Sequence, residues 1–202
     1  MKKSISFVIL VICVMFTSCV TSLHPITDNG ADLISKKELL GTWVDKDSAR
    51  YIIEAAKDEG AKFYRATVID PKKSSEPVNF SDTSYFIISL ASIKGHLFLD
   101  CVADMKKFEN KTLGGMAVSS VLPSHLIIPV ISIKQNAIEL SPFDHDELLG
   151  LMHQGKCKMK YEIVNKDDIL FTEKPKSLQQ KLMDLENFPA VFGSSVLKRA
   201  TN

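Results

Sequence analysis

Five histidines are the side chains of this chain best suited to metal binding or proton transfer, so their spacing is the first test for chemistry. His145 and His153 fall on one predicted helix, about 12 Å apart along its axis, which is too far to share a metal ion. His96 and Asp100 lie on one face of a predicted strand and form the polar pair most worth inspecting. They either face the interior of the fold together or mark the solvent side of that strand. The spacing predicts no metal site.

Motifs for enzymatic catalysis are incomplete. Ser195 and Lys198 fit the bare S-x-x-K spacing of penicillin-recognising enzymes, but no companion motif accompanies them. The sequence has no G-x-S-x-G elbow, no G-x-x-x-x-G-K-[ST] loop and no G-x-G-x-x-G turn. We therefore predict no catalytic residue and no cofactor. An enzyme stays open only as a site that converges from separate strands.

The four cysteines differ in their surroundings. Cys13 lies in an apolar amino-terminal stretch, and Cys19 follows that stretch directly. Cys101 and Cys157 stand in alternating, strand-like segments, where they are either two small buried thiols or a single disulfide. They are too few, and too far from suitable histidines, to form a zinc site.

The amino-terminal residues have the organisation of an export signal. Lys2 and Lys3 are followed by a largely apolar stretch at 5–16. This stretch is shorter than the roughly 20 residues that a membrane-spanning helix needs, and it fits the apolar region of a secretory signal peptide. Loss of this segment changes the formal net charge from +1 to −1. A chain of such balanced charge is not expected to bind nucleic acid.

The residues that end this segment, Phe16-Thr17-Ser18-Cys19, resemble the lipobox of bacterial lipoproteins. The resemblance implies that residues 1–18 are removed as a lipoprotein signal peptide and that Cys19 carries acyl chains such as palmitate. The protein is then expected to be anchored in the cell envelope through its amino-terminal lipid. Val20, rather than an aspartate, follows the cysteine, which by analogy with Gram-negative lipoproteins favours the outer membrane.

The rest of the chain is predicted to be a flexible tether at 19–35 and a single β-rich domain at 36–202. The tether is inferred from its polar, turn-rich composition. Alternating segments beyond it predict a series of antiparallel hairpins, of which the pair around Lys94-Gly95 is the best supported. Two short helices are predicted at 141–154 and 177–187, the first beginning with Ser141 as N-cap and Pro142 as first residue.

Leu40-Gly41-Thr42-Trp43, at the start of the first predicted strand, is similar to the G-x-W motif of lipocalin-type barrels. This resemblance implies an antiparallel lipocalin-like β-barrel, or at least a strongly curved sheet, in a mainly β fold with two short helices. A carboxy-terminal arginine often covers the tryptophan in that family, and Arg199 is placed to match. We therefore expect Trp43 to be buried at one end of the barrel, near the last strand.

Two functions are compatible with these expectations. The first is a membrane-tethered binding module whose barrel interior holds an apolar or lipid-like molecule. The second is a structural or interaction protein in which the barrel is filled and its outer surface or helices dock another envelope protein. The volume of the barrel interior distinguishes the two hypotheses.

Overall fold

The computed structural model describes residues 20–28, 30–69, 83–108, 124–164 and 168–201. The strands within these ranges are β1 (Val20–Ser22), β2 (Leu33–Ile34), β3 (Gly41–Val44), β4 (Arg50–Ala55), β5 (Phe63–Ile69), β6 (Thr83–Ile93), β7 (His96–Ala103), β8 (His125–Ile133), β9 (Ala137–Leu140), β10 (Tyr161–Val164), β11 (Asp168–Phe171) and β12 (Ser195–Arg199). The α-helices are α1 (Met105–Phe108), α2 (His145–His153) and α3 (Pro175–Asp184). Short 3-10 turns cover Lys37–Leu39, Leu185–Asn187 and Pro189–Val191.

Eight strands close into an antiparallel barrel in the order β3-β4-β5-β6-β7-β8-β9-β12. Each strand up to β9 pairs with the next strand of the barrel along the chain, and β12 closes the barrel between β9 and β3. The predicted fold class, mainly β with an antiparallel barrel and short helices, is confirmed. Lys94 and Gly95, both with positive φ, form the tight turn expected between β6 and β7.

Alternation along the strands separates the barrel interior from its outer wall. In β7, Leu99 and Cys101 point inward, whereas Phe98 and Asp100 point outward. The buried inward residues pack into one apolar cluster. Its members are Leu39, Trp43, Ile53, Tyr64, Ala66, Ile88, Leu90, Leu99, Cys101, Val130, Ile138, Leu140 and Leu197.

Trp43 closes one end of this interior cluster, as predicted. Its ring is fully buried, and its indole N–H donates to the Leu39 carbonyl at 2.9 Å. Arg199 lies opposite Trp43 in the β12–β3 ladder and places its guanidinium over the ring, 4.2 Å from the centroid. Arg199 also donates to the carbonyls of Leu40 and Glu38 at 3.0 and 2.9 Å. A side chain on Gly41, which has φ of +129°, would meet this guanidinium, so glycine is required there.

A second layer covers one side of the barrel. β1 pairs with the first part of β8, β11 runs parallel to β1, and β10 forms the edge beyond β11. Helices α2 and α3 pack over the same side, and their buried residues join the outward side chains of β6, β7 and β8 in a second apolar cluster. In β6, Leu90 points inward and Ala91 outward, and both are fully buried. This strand is therefore covered on both faces.

The described part of the predicted tether is instead packed into the fold. Residues 20–34, which we call the amino-terminal strap, include β1 and β2, and β2 pairs with β6. Ile26 is fully buried, its N–H donates to Asp100 at 2.9 Å, and its carbonyl accepts from Gln179 of α3 at 2.8 Å. The flexible-tether prediction is wrong for this stretch, because three apolar residues and two backbone contacts tie it to the barrel and to α3; the apolar residues are Val20, Ile26 and Leu33.

The bounds of the two predicted helices also differ from the structure. α2 begins after Asp144, whose carboxylate accepts from the Glu147 N–H at 3.1 Å, and not after Ser141. Ser141 remains with the sheet because its N–H donates to the Pro129 carbonyl at 2.9 Å. α3 ends at Asp184, and a 3-10 turn at Leu185–Asn187 follows it.

Candidate functional site

His96 lies at the start of β7, on the outer wall of the barrel. Its Nδ1 is 2.7 Å from a carboxylate oxygen of Glu186, and both side chains are about half exposed. Glu186 belongs to the 3-10 turn that follows α3, so the pair connects this turn to the end of the β6–β7 hairpin. His96 therefore stands at the rim of a depression and not in the barrel interior.

That depression, which we call the β7–β8 groove, runs between the outer faces of β7 and β8 and the end of α3. It has a volume of about 340 Å³. Aliphatic and aromatic residues make up most of its lining, but polar atoms contribute nearly as much of its exposed surface as apolar atoms do. The lining residues are Gly95, His96, Leu97, Phe98, Pro129, Val130, Ile131, Ser141, Phe143, Leu182, Met183, Glu186 and Phe192.

Two phenylalanines from distant parts of the chain form one wall of the groove. Phe143 and Phe192 pair as an isolated antiparallel bridge, and their ring centroids are 5.7 Å apart. Phe143 also meets Phe171 of β11 edge to face at 6.4 Å. The Gly193 N–H donates to the Pro142 carbonyl at 2.7 Å and holds the two segments together. The wall is thus anchored to the second layer, which fixes its shape.

Asp100 occupies a different site. Its carboxylate, which is 5% exposed, accepts from the Ile26 N–H and lies 2.7 Å from His125 Nδ1. The pairing of Val102 with His125 in the β7–β8 ladder places the imidazole diagonally across from Asp100. Both side chains border a second cleft of about 240 Å³ beneath the amino-terminal strap.

His96 and Asp100 are therefore not one site. They point to the same side of β7 but lie about 13 Å apart along the strand and border different depressions. The alternative that both face the barrel interior is wrong, because that side of β7 is the outer wall. The solvent-side alternative fits His96 and is wrong for Asp100, which the strap covers. Sequence reasoning missed His125, whose position depends on a register set across the long β7–β8 connection.

Each of the two cysteines that the structure describes is a free, buried thiol. Cys101 belongs to the interior cluster and Cys157 to the cluster outside the barrel, so the barrel wall separates them. The disulfide alternative is therefore excluded in this fold. Burial raises the pKa of both thiols above the ordinary value, which makes them poor nucleophiles.

Other chemistry expected of a catalytic or metal site is not assembled among the described residues. No group of three or more His, Cys, Asp or Glu side chains is placed to hold a metal ion in these ranges. Ser195 and Lys198 fall within β12, where positions three apart point to opposite faces. Cys19, the predicted lipid attachment residue, lies outside the described residues, which begin at Val20.

The fold is a closed antiparallel β-barrel with a depression of about 340 Å³ on its outer wall. No family model, curated protein or solved structure matches this chain. Among the described helices, none is long and apolar enough to cross a membrane.

Proposed function

We propose that this protein is a lipid-anchored lipoprotein of the bacterial cell envelope that binds an apolar or lipid-like molecule in the β7–β8 groove. The groove is the observation that carries the binding proposal. Its volume of about 340 Å³ falls within the range of small-molecule sites. Its lining of mainly aliphatic and aromatic residues with a few polar side chains is the usual composition of such sites.

The envelope location rests on the amino-terminal sequence. A basic start, a short apolar stretch and small residues that run into Cys19 support export, cleavage and acylation. Two or more acyl chains on one residue would anchor the protein stably, whereas a single chain anchors only weakly. Val20 after the cysteine supports the outer membrane in a Gram-negative source.

The groove is preferred to the barrel interior as the ligand site. Trp43, Leu90 and Ile138 are fully buried inside the barrel and belong to one packed cluster. Opening this cluster for a ligand would separate packed apolar side chains. Each Å² of apolar surface that this exposes to water costs about 25 cal/mol of free energy. The groove already offers apolar surface without that cost.

Ligand binding is tested by native mass spectrometry of protein extracted from membranes. Wild-type protein should retain an apolar molecule, and Met183→Trp, which fills the groove from its lining, should lose it. Val196→Trp is the matched control, because Val196 is 40% exposed on β12 and does not line the groove. Equal retention by the two variants would contradict the groove as the binding site.

Anchoring is tested separately at Cys19. In a bacterial host, Cys19→Ser should abolish labelling by radioactive palmitate and leave an unprocessed precursor. Soluble wild-type protein with an unmodified Cys19 would remove the lipoprotein part of the proposal and leave the groove unaffected.

A second candidate function is a structural or protein-interaction component of an envelope complex, and the packed barrel interior favours it over a ligand held inside the barrel. It is supported by two exposed aliphatic residues on neighbouring parts of the outer wall, Ile131 of β8 at 62% and Val196 of β12 at 40%. Glu139 of β9 lies between them, since it pairs with both Ser132 and Val196. Photocrosslinking from position 196 in cells should then capture one defined envelope protein, which a ligand-binding module alone would not require.

A further inference from the structure

The proposed lipid anchor and the β7–β8 groove lie close together in the fold. Val20 is the first residue of β1, and the antiparallel pairing of Ser22 with His125 brings Val20 level with Ile127 of β8. Adjacent Cα atoms in a chain are 3.8 Å apart, so acyl chains on Cys19 would be attached one residue away from Val20. This proximity leaves no length of flexible chain between an acylated Cys19 and the folded body.

The groove begins at the same place. Pro129 lines it and lies two residues beyond Ile127, which is about 7 Å along β8. Val20 belongs to the same apolar cluster that Phe143 and Phe192 pack against, and those two rings form the groove wall. Going backward along β1 corresponds to going forward along β8, toward Pro129 and Ile131. Of the three residues of β1, Val20 is therefore the one at the end that faces along β8 toward the groove.

Ile131 marks the open side of the groove. It lines the groove, yet its side chain is the most exposed of the large hydrophobic residues described, at 62%. A body attached through one residue cannot stand off the membrane, so the surface around that residue must meet the lipid interface. An exposed aliphatic side chain and an apolar groove at this position suit contact with lipid and not with water.

We infer that the β7–β8 groove opens against the bilayer and holds one fatty acyl chain of a membrane phospholipid. This inference rests on the proposed acylation of Cys19 and names the ligand class of the proposed site. An acyl chain has no hydrogen-bonding group along its length, which suits the part of the lining formed by phenylalanine, leucine, methionine and proline side chains. Its path from the bilayer into the groove would not cross water.

The ligand class is tested in solution with the mature chain, residues 19–202, produced without the signal segment and carrying Cys19→Ser, and with lysophosphatidylcholines of increasing chain length. Affinity should rise about fourfold for each added methylene and then level off when the groove is filled. Met183→Trp in the same background should shorten the chain length at which affinity levels off. Affinity that does not depend on chain length, or that Met183→Trp leaves unchanged, would overturn the acyl-chain assignment.

Membrane contact is tested on the acylated protein in phospholipid vesicles, with an environment-sensitive fluorophore on Ile131→Cys. Acylation is first confirmed by mass, so that failure of the anchor is recognised separately. The label should be quenched by brominated acyl chains and protected from iodide. The control is Glu54→Cys, which is exposed on β4, four strands from β8 around the barrel. Cys101 and Cys157 are buried and should not react.

Two results would refute the orientation or the source of the chain. Iodide quenching at position 131 equal to that at position 54 would show that the groove faces water. The Cys19→Ser variant could bind lysophosphatidylcholine while the acylated protein, with its groove equally open to the solution, does not. That result would show that the protein's own acyl chain fills the groove. Either result overturns the inference, whereas the groove of the proposed function would survive both.

Discussion

Replacing Trp43 by alanine tests the register of the barrel closure. The ring is fully buried, so its removal empties a large aromatic site, a change that typically costs about 3–5 kcal/mol. Two further losses of interaction place the cost of this variant at the upper end of that range. The Leu39 carbonyl loses its indole donor, and a buried unpaired acceptor costs about 1–3 kcal/mol. Arg199 loses a cation–π contact of the kind estimated at about 0.5–2 kcal/mol.

We therefore expect Trp43→Ala to lower the free energy of unfolding by about 5 kcal/mol, a large share of the 5–15 kcal/mol usual for a domain. In a chain of this size the melting temperature should fall by about 10–20 °C. Trp43 is the sole tryptophan, so unfolding must be followed by circular dichroism and not by tryptophan fluorescence. Val196→Ala, which changes an exposed position of β12, should leave the midpoint of thermal unfolding almost unchanged. Equal midpoints for Trp43→Ala and wild type would refute the closure of the barrel through Trp43 and Arg199.

Three other predictions concern the strap, the second layer and the thiols. Ile26→Ala should cost about 2–5 kcal/mol in urea unfolding, whereas a flexible tether would give no change. Burial raises the pKa of Glu173, but the Lys181 ammonium and the Lys160 N–H outweigh it and lower that pKa from 4.5 to about 2. Because the folded pKa is depressed, this contribution is present above about pH 4.5 and is lost as the pH falls toward 2, so Glu173→Gln should flatten the acid limb of stability against pH. Cys101 and Cys157 should react with a thiol reagent only after unfolding; rapid labelling of native protein would contradict their burial.

The barrel and its closure could be predicted because their signals are local. The Lys94-Gly95 turn lies between two apolar segments that pair directly, so one short stretch specifies both strands and their register. Trp43 stands out as a single large ring beside Gly41, and Arg199 could be matched to it through one family resemblance. Successive side chains of a strand point to opposite faces, so apolar and polar residues that alternate along the sequence predict which side chains face the interior. This pattern can be recognised without knowing which strands pair.

The strap and the Asp100–His125 pair could not be predicted for the opposite reason. In the strap, Val20, Ile26 and Leu33 are separated by six and seven residues, a spacing with neither strand nor helix period. Its strands are two and three residues long, and β1 pairs with β8 and β11, which lie far away in sequence. His125 likewise meets Asp100 only after the long β7–β8 connection has set the register.

The position of β1 changes what an amino-terminal lipid would do to this fold. β1 lies between β8 and β11, so the β10–β11 hairpin joins the sheet through β1. Ile169 and Phe171 of β11 are buried in the cluster outside the barrel, and exposing them would cost apolar burial as well as strand pairing. A chain acylated next to Val20 would therefore hold the second layer and the groove wall in a fixed position at the membrane. In such a protein, the strand next to the anchor would also be the one that joins β11 to β8.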